Sequence, residues 1–202
     1  MAGDPSRAAI NIPCRIALGK DRVQALRNIA NSNGTTLFSL CAAAYNVVLA
    51  RYCGVDKVSV GVAYSVRDNS ATFEEVGALV SYVGVETAID PAVRIGEMGA
   101  IFGREIASLR NGESVCALAG YSATIVRYLA PRAIPDLHDM TVTEVDPPVD
   151  SVLVELATSL REVDDKLVIL MRGRERLFTP ADLTALMNGI VAILDGLIVD
   201  FH

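Results

Sequence analysis

The chain has 202 residues and a net charge of −6, with 51% apolar and 21% charged residues. That length suits one domain, and the balance excludes a disordered chain and gives no basic footprint for nucleic acid. Mean hydropathy is +0.38, high for a soluble domain, which fits either a helix-rich core or an apolar face covered by a partner.

In chain order, residues 9–18 alternate well enough for a strand, and Pro13 places it at an edge or bulge. Gly19 ends it, and residues 21–30 put Val23, Leu26, Ile29 and Ala30 on one helical face. The breaker cluster at 31–34 is followed by Thr35 and Thr36, either of which can cap the next helix. That helix runs to about Tyr52, is apolar nearly all round, and stops at Gly54. Valine-rich residues 57–64 predict a central strand, and a polar loop at 67–75 leads to a second strand over 79–87.

Asp90-Pro91 opens a helix over 94–110, and Asn111-Gly112 breaks it. Residues 115–129 read as another amphipathic helix, and prolines bracket a strand near 140–145. Residues 152–160 and 166–171 flank 162–165 as a hairpin. The last helix has Thr179 as N-cap, Pro180 at its first position, Asp182 in its first turn and an apolar stripe to Ile198. The expected fold is therefore α/β, one mixed sheet covered by helices in two layers, with residues 1–202 as a single domain.

No segment reads as a membrane span: the most apolar helical stretch, 37–50, is short and contains Ser39 and Asn46. Residues 1–34 lack the apolar run of a signal peptide. The four cysteines, Cys14, Cys41, Cys53 and Cys116, lack C-x-x-C spacing and histidine partners, so buried reduced thiols and a cytoplasmic location are expected, with no metal site.

Catalytic machinery is sparse. Of two histidines, His138 lies in a proline-bracketed acidic segment beside Asp136 and Asp139, and His202 ends the chain; neither has the setting of a general base. Phosphate-loop, zinc and nucleophile-elbow motifs are absent from the sequence. Gly96, Gly99 and Gly103 form a helical row of small residues, read as close helix packing rather than a phosphate loop.

Four stretches carry a resemblance. Gly34-Thr35-Thr36-Leu37-Phe38 leads through a helix to Leu49-Ala50-Arg51-Tyr52-Cys53-Gly54-Val55-Asp56-Lys57-Val58-Ser59-Val60-Gly61. Then come Gly61-Val62-Ala63-Tyr64-Ser65-Val66-Arg67 and Val76-Gly77-Ala78-Leu79-Val80-Ser81-Tyr82-Val83, and last Leu177-Phe178. In order and spacing these resemble the second half of nonribosomal peptide synthetase condensation domains, in the chloramphenicol acetyltransferase-like superfamily. That half has Arg-Tyr-Thr-Gly-x-Asp-Asp-Val, Gly-Thr-Pro-x-x-x-Arg, Gly-x-Phe-Val-Asn-Thr and Asp-Leu-Phe. The family's His-His-x-x-x-Asp-Gly motif, which belongs to the N-terminal lobe, has no counterpart here. Residues 110–117 also depart from its His-Gln-Asp-x-Pro-Phe-Glu motif, and no Arg-Asp-x-Ser-Arg is recognisable around 131–137.

The resemblance implies a C-terminal lobe that contributes to amide-bond formation between carrier-bound thioesters but lacks catalytic residues of its own. Its partners would be the N-terminal lobe and a peptidyl carrier protein, with no nucleic acid and no membrane. The phosphopantetheine arms of the carriers bring the substrates, and no cofactor is bound directly. Arg67 matches the arginine that holds the aspartate of the histidine motif, against the alternative of a solvated loop arginine. Ser81 stands where the family has asparagine, either facing the tunnel or simply packing in its strand. A non-catalytic module that binds a carrier protein or tailoring enzyme is the alternative function. Cutting a two-lobed enzyme would expose apolar surface, so a homodimer is also expected.

Overall fold

The computed structural model describes residues 11–65, 80–110, 124–129 and 154–201. In chain order they form β1 (Asn11–Leu18), α1 (Lys20–Ser32), α2 (Leu37–Cys53), β2 (Lys57–Ser65), β3 (Val80–Ala88), α3 (Ile95–Arg110), β4 (Thr124–Leu129), β5 (Leu156–Val163), β6 (Lys166–Arg174) and α4 (Pro180–Phe201). The strands make one mixed sheet in the order β1-β6-β5-β4-β2-β3. β4 runs parallel to β2 and β5, and the other pairs are antiparallel. This is the expected α/β architecture, with β2 and β3 as neighbours and β1, the proline-bearing strand, at an edge.

Side chains alternate across a strand, so register decides which residues meet the helices. Val60 lies opposite Val85, Val62 opposite Val83, Leu18 opposite Leu167, and Leu160 opposite Ile169. All eight are buried in one cluster with residues from α1, α2, α3 and α4. The helices therefore cover one face of the sheet. The other face carries Arg15, Arg127, Arg161 and Arg172, with the Arg127 Nε–H donating to Ser159 Oγ at 2.8 Å.

α2 is the central helix, buried without a break from Ser39 to Ala50, which is why its sequence shows no polar stripe. The Thr36 hydroxyl accepts the Ser39 N–H at 3.1 Å, and Gly54 ends the helix in the left-handed region at φ 68°. α3 packs on α2 through Gly99 and Gly103: a Cβ on Gly99 would sit 3.2 Å from Leu40 Cα, tighter than an ordinary contact, so any larger residue there pushes the two helices apart. At the start of α4 the Thr179 N–H donates to Asp182 and the Asp182 N–H to Thr179 Oγ1, a reciprocal cap. By length and composition α4 is apolar enough to cross a membrane; here it lays Leu183, Leu186, Met187, Ile190 and Leu194 into the core.

Two expectations are corrected. The helix expected over 115–129 is, over Thr124–Leu129, the inner strand β4. Its apolar residues fall on both faces, with Val126 and Tyr128 toward the helices, so a short strand between two others mimics a helical stripe. The hairpin strands are also shifted, since β5 begins at Leu156 and reaches Val163. Asp164 and Asp165 both adopt positive φ, 50° and 60°, making a two-residue turn that lets pairing run up to Val163 and Lys166. Residues 115–123, the strand expected at 140–145, Arg67, His138, His202 and Cys116 lie outside the described residues. Among the other cysteines, Cys41 is buried and Cys14 half-buried, whereas Cys53 is exposed, contrary to the expectation of burial; it is the last residue of α2 and projects beyond the core.

Candidate functional site

Of the two residues singled out from sequence, Ser81 belongs to the end of the sheet where β2 stops, and Arg67 lies outside the described residues. β2 ends at Ser65, two positions before Arg67, and Ser81 pairs across the ladder with Tyr64. A cavity of about 630 Å³ opens at that end, between the first turn of α2, the middle of α3 and the ends of β2 and β4. Gly34, at φ 62°, turns the chain out of α1 so that Thr35 and Thr36 begin α2 at the cavity wall.

The walls are mostly apolar. Phe38 leans on Phe102 and Tyr128, with ring centroids 6.4 and 6.1 Å apart, and Val62 and Ile106 complete the floor. The polar groups differ in how well they are satisfied. Thr36 Oγ1 and Ser39 Oγ hydrogen-bond at 3.0 Å. The Tyr128 hydroxyl donates to Glu162, which also takes Arg27 of α1, tying β4 and β5 to the helix layer. Burial, reinforced by that carboxylate, pushes the Tyr128 hydroxyl up to about 12, so at neutral pH it is a donor and not a base. Thr35 Oγ1, by contrast, is buried and has no hydrogen-bond partner among the described residues. Arg104 stands exposed at the mouth.

Chemically the described part of this end can bind and orient, but it offers no general base. None of the described residues is a histidine, and none of them forms a metal-ligand cluster. Sequence reasoning picked out Thr35, Thr36 and Phe38 only as a motif start. It missed Tyr128 as a wall residue because 115–129 read as helical.

Comparison with known proteins relates the chain to one family. The condensation-domain model matches residues 9–101. Over these residues the chain is similar to condensation domains. Tyrocidine synthase 3 of Brevibacillus parabrevis is 37% identical over 68 residues, 34% of this chain and 1% of that protein. Among solved structures, the condensation domain from a monacolin K polyketide synthase superposes with a TM-score of 0.81 at 14% identity, covering 97% of this chain and 50% of the other. The first condensation domain of the CDA synthetase gives 0.72 at 17% identity, covering 98% and 48%. The condensation-domain fold thus extends over nearly the whole chain, which spans about half of those structures and a very small part of the curated relative.

Proposed function

We propose that the chain is the C-terminal lobe of a nonribosomal peptide synthetase condensation domain and contributes to amide-bond formation between carrier-bound aminoacyl or peptidyl thioesters. The observation that supports this most is coverage: 97% of the chain follows the fold of a solved condensation domain while filling half of it. In the reaction the acceptor amine attacks the donor thioester carbonyl; the C–N bond forms, the C–S bond breaks, and the donor arm leaves as its thiol. The histidine motif that would manage the amine proton is not in this sequence. On this reading Arg67, two positions after β2 in the sequence, positions the aspartate of that motif, and Ser81 on β3 stands where the family has asparagine.

The chain alone is expected to give no dipeptidyl thioester when incubated with loaded donor and acceptor carrier proteins. Supplied with an N-terminal lobe bearing His-His-x-x-x-Asp-Gly, it is expected to give product by mass spectrometry, and Arg67→Ala to remove most of it. Product from the chain alone overturns the reading. Carrier binding without product from the joined lobes favours the non-catalytic module, which the departures at 110–117 also support.

Such a lobe, released from its partner, is expected to self-associate. Val80 and Tyr82 are exposed on the sheet face away from the helices, at 53% and 44%, at the same end as Ser81. Light scattering across a dilution series is expected to show a dimer at high concentration, dissociating on dilution and weakened by Tyr82→Lys. A monomer throughout counts against an uncovered lobe face.

A further inference from the structure

The sheet has two edges among the described residues, and only one of them is guarded. An edge strand offers a row of unpaired N–H and C=O groups, which natural sheets blunt with proline or charged side chains. β1 carries both, in Pro13 and Arg15. β3, the opposite edge, runs for nine residues, Val80-Ser81-Tyr82-Val83-Gly84-Val85-Glu86-Thr87-Ala88, with no proline, lysine or arginine. Its one charge, Glu86, is answered by Lys57 of β2 in the same copy. Val80 and Tyr82 stand exposed on it.

The strand is also complementary to itself. Turned end for end about Gly84, it sets Val80 opposite Ala88, Ser81 opposite Thr87, Tyr82 opposite Glu86 and Val83 opposite Val85. Opposed residues of an antiparallel pair share a face of the sheet. Val62 and Val83 of one copy, already neighbours in the buried cluster, therefore continue into Val85 and Val60 of the other. Centring the pair on another residue leaves strand ends unpaired. Centring it between two residues sets the helix layers on opposite faces.

We propose that β3 is a strand-addition surface whose occupant is a second copy of this chain, paired antiparallel and centred on Gly84. The two sheets then become one, with both helix layers on the same side. The pairing supplies the self-association expected above with a surface and a register. It needs only the described fold and does not rest on the condensation reading, so the carrier-protein experiment and the one below fail independently.

Tyr82 and Glu86 are both exposed, and within one strand they lie about 13 Å apart, beyond the roughly 7 Å between Cα atoms that a disulfide spans. In Tyr82→Cys/Glu86→Cys a bond between positions 82 and 86 therefore forms only between copies. This variant, with Cys53→Ser to remove the exposed native thiol, is oxidised with oxidised glutathione and mapped by peptide mass spectrometry. A covalent dimer joined by 82–86 links is expected. Amide hydrogen exchange over residues 80–88 is expected to slow as the concentration rises through the dimer transition. Tyr82→Asp faces a carboxylate with Glu86 twice per dimer and is expected to raise the dissociation constant about 10-fold, of which Glu86→Gln in the same chain restores about 3-fold. The proposal is overturned if the chain stays monomeric at every concentration, if the oxidised dimer lacks 82–86 links, or if exchange over 80–88 is the same in monomer and dimer.

Discussion

Between pH 9 and pH 12 the fold is expected to lose most of its stability, and two fully buried groups in α2 account for the largest share. Burial pushes the Cys41 thiol from its ordinary 9.0 to about 12, with the Glu162 charge adding to the effect. Burial likewise pushes the Tyr45 hydroxyl from 10.0 to about 12, partly opposed by its hydrogen bond to Thr124. Both groups are neutral when protonated, and the unfolded chain gives up these protons at lower pH than the folded chain does. Their contribution is therefore fully present below pH 9 and is lost as pH rises toward 12. At about 1.4 kcal/mol per pH unit, Cys41 accounts for about 4 kcal/mol and Tyr45 for about 3 kcal/mol. That is comparable with the whole stability of an ordinary domain, about 5–15 kcal/mol. Thermal unfolding is expected to show a nearly flat Tm up to pH 9 and a steep fall above it. Tyr45→Phe and Cys41→Ala are each expected to make the fall shallower, although both cost some stability at pH 8. A Tm that is flat to pH 11, or variants with the same slope as the parent, refutes the assignment.

Gly99→Leu is expected to be the most disruptive single change in the helix layer. With a Cβ 3.2 Å from Leu40 Cα and 3.3 Å from Leu40 N, the opposing atoms are backbone and cannot rotate away. α3 must then move off α2, which strips cover from Phe102, 1% exposed, and Met98, 4% exposed. Overpacking ordinarily costs about 1–3 kcal/mol, and lost burial of two large side chains raises that to about 4 kcal/mol or more. Gly96→Leu is the control. Its close neighbour is the tip of the Asn33 side chain, which can swing aside, so the expected loss is under about 1.5 kcal/mol. Urea denaturation distinguishes them, and equal midpoints for the two variants sink the argument.

Much of this molecule is legible one residue at a time. The α2 start at Thr36, its stop at Gly54, the reciprocal cap of Thr179 and Asp182, and the edge placement of Pro13 all follow from local backbone chemistry. The period-two valines of β2 and the stripe of α4 follow from having one covered face. What the sequence could not settle depends on register and on distant partners. β4 pairs on both sides with strands far away in the chain, and its residues read as helical because both of its faces are apolar. Tyr128 reaches the cavity wall only because β4 lies beside β5, where Glu162 and Arg27 can hold it. The same holds for Thr35. In sequence it is a second candidate cap beside Thr36, and only the packing of α3 on α2 buries its hydroxyl unpaired and sets Gly103 in front of it. Local sequence determined where the described helices begin and end, because caps and breakers act within a few residues. Tertiary packing alone decided which polar groups remain unsatisfied, because that depends on what the far parts of the chain bring against them.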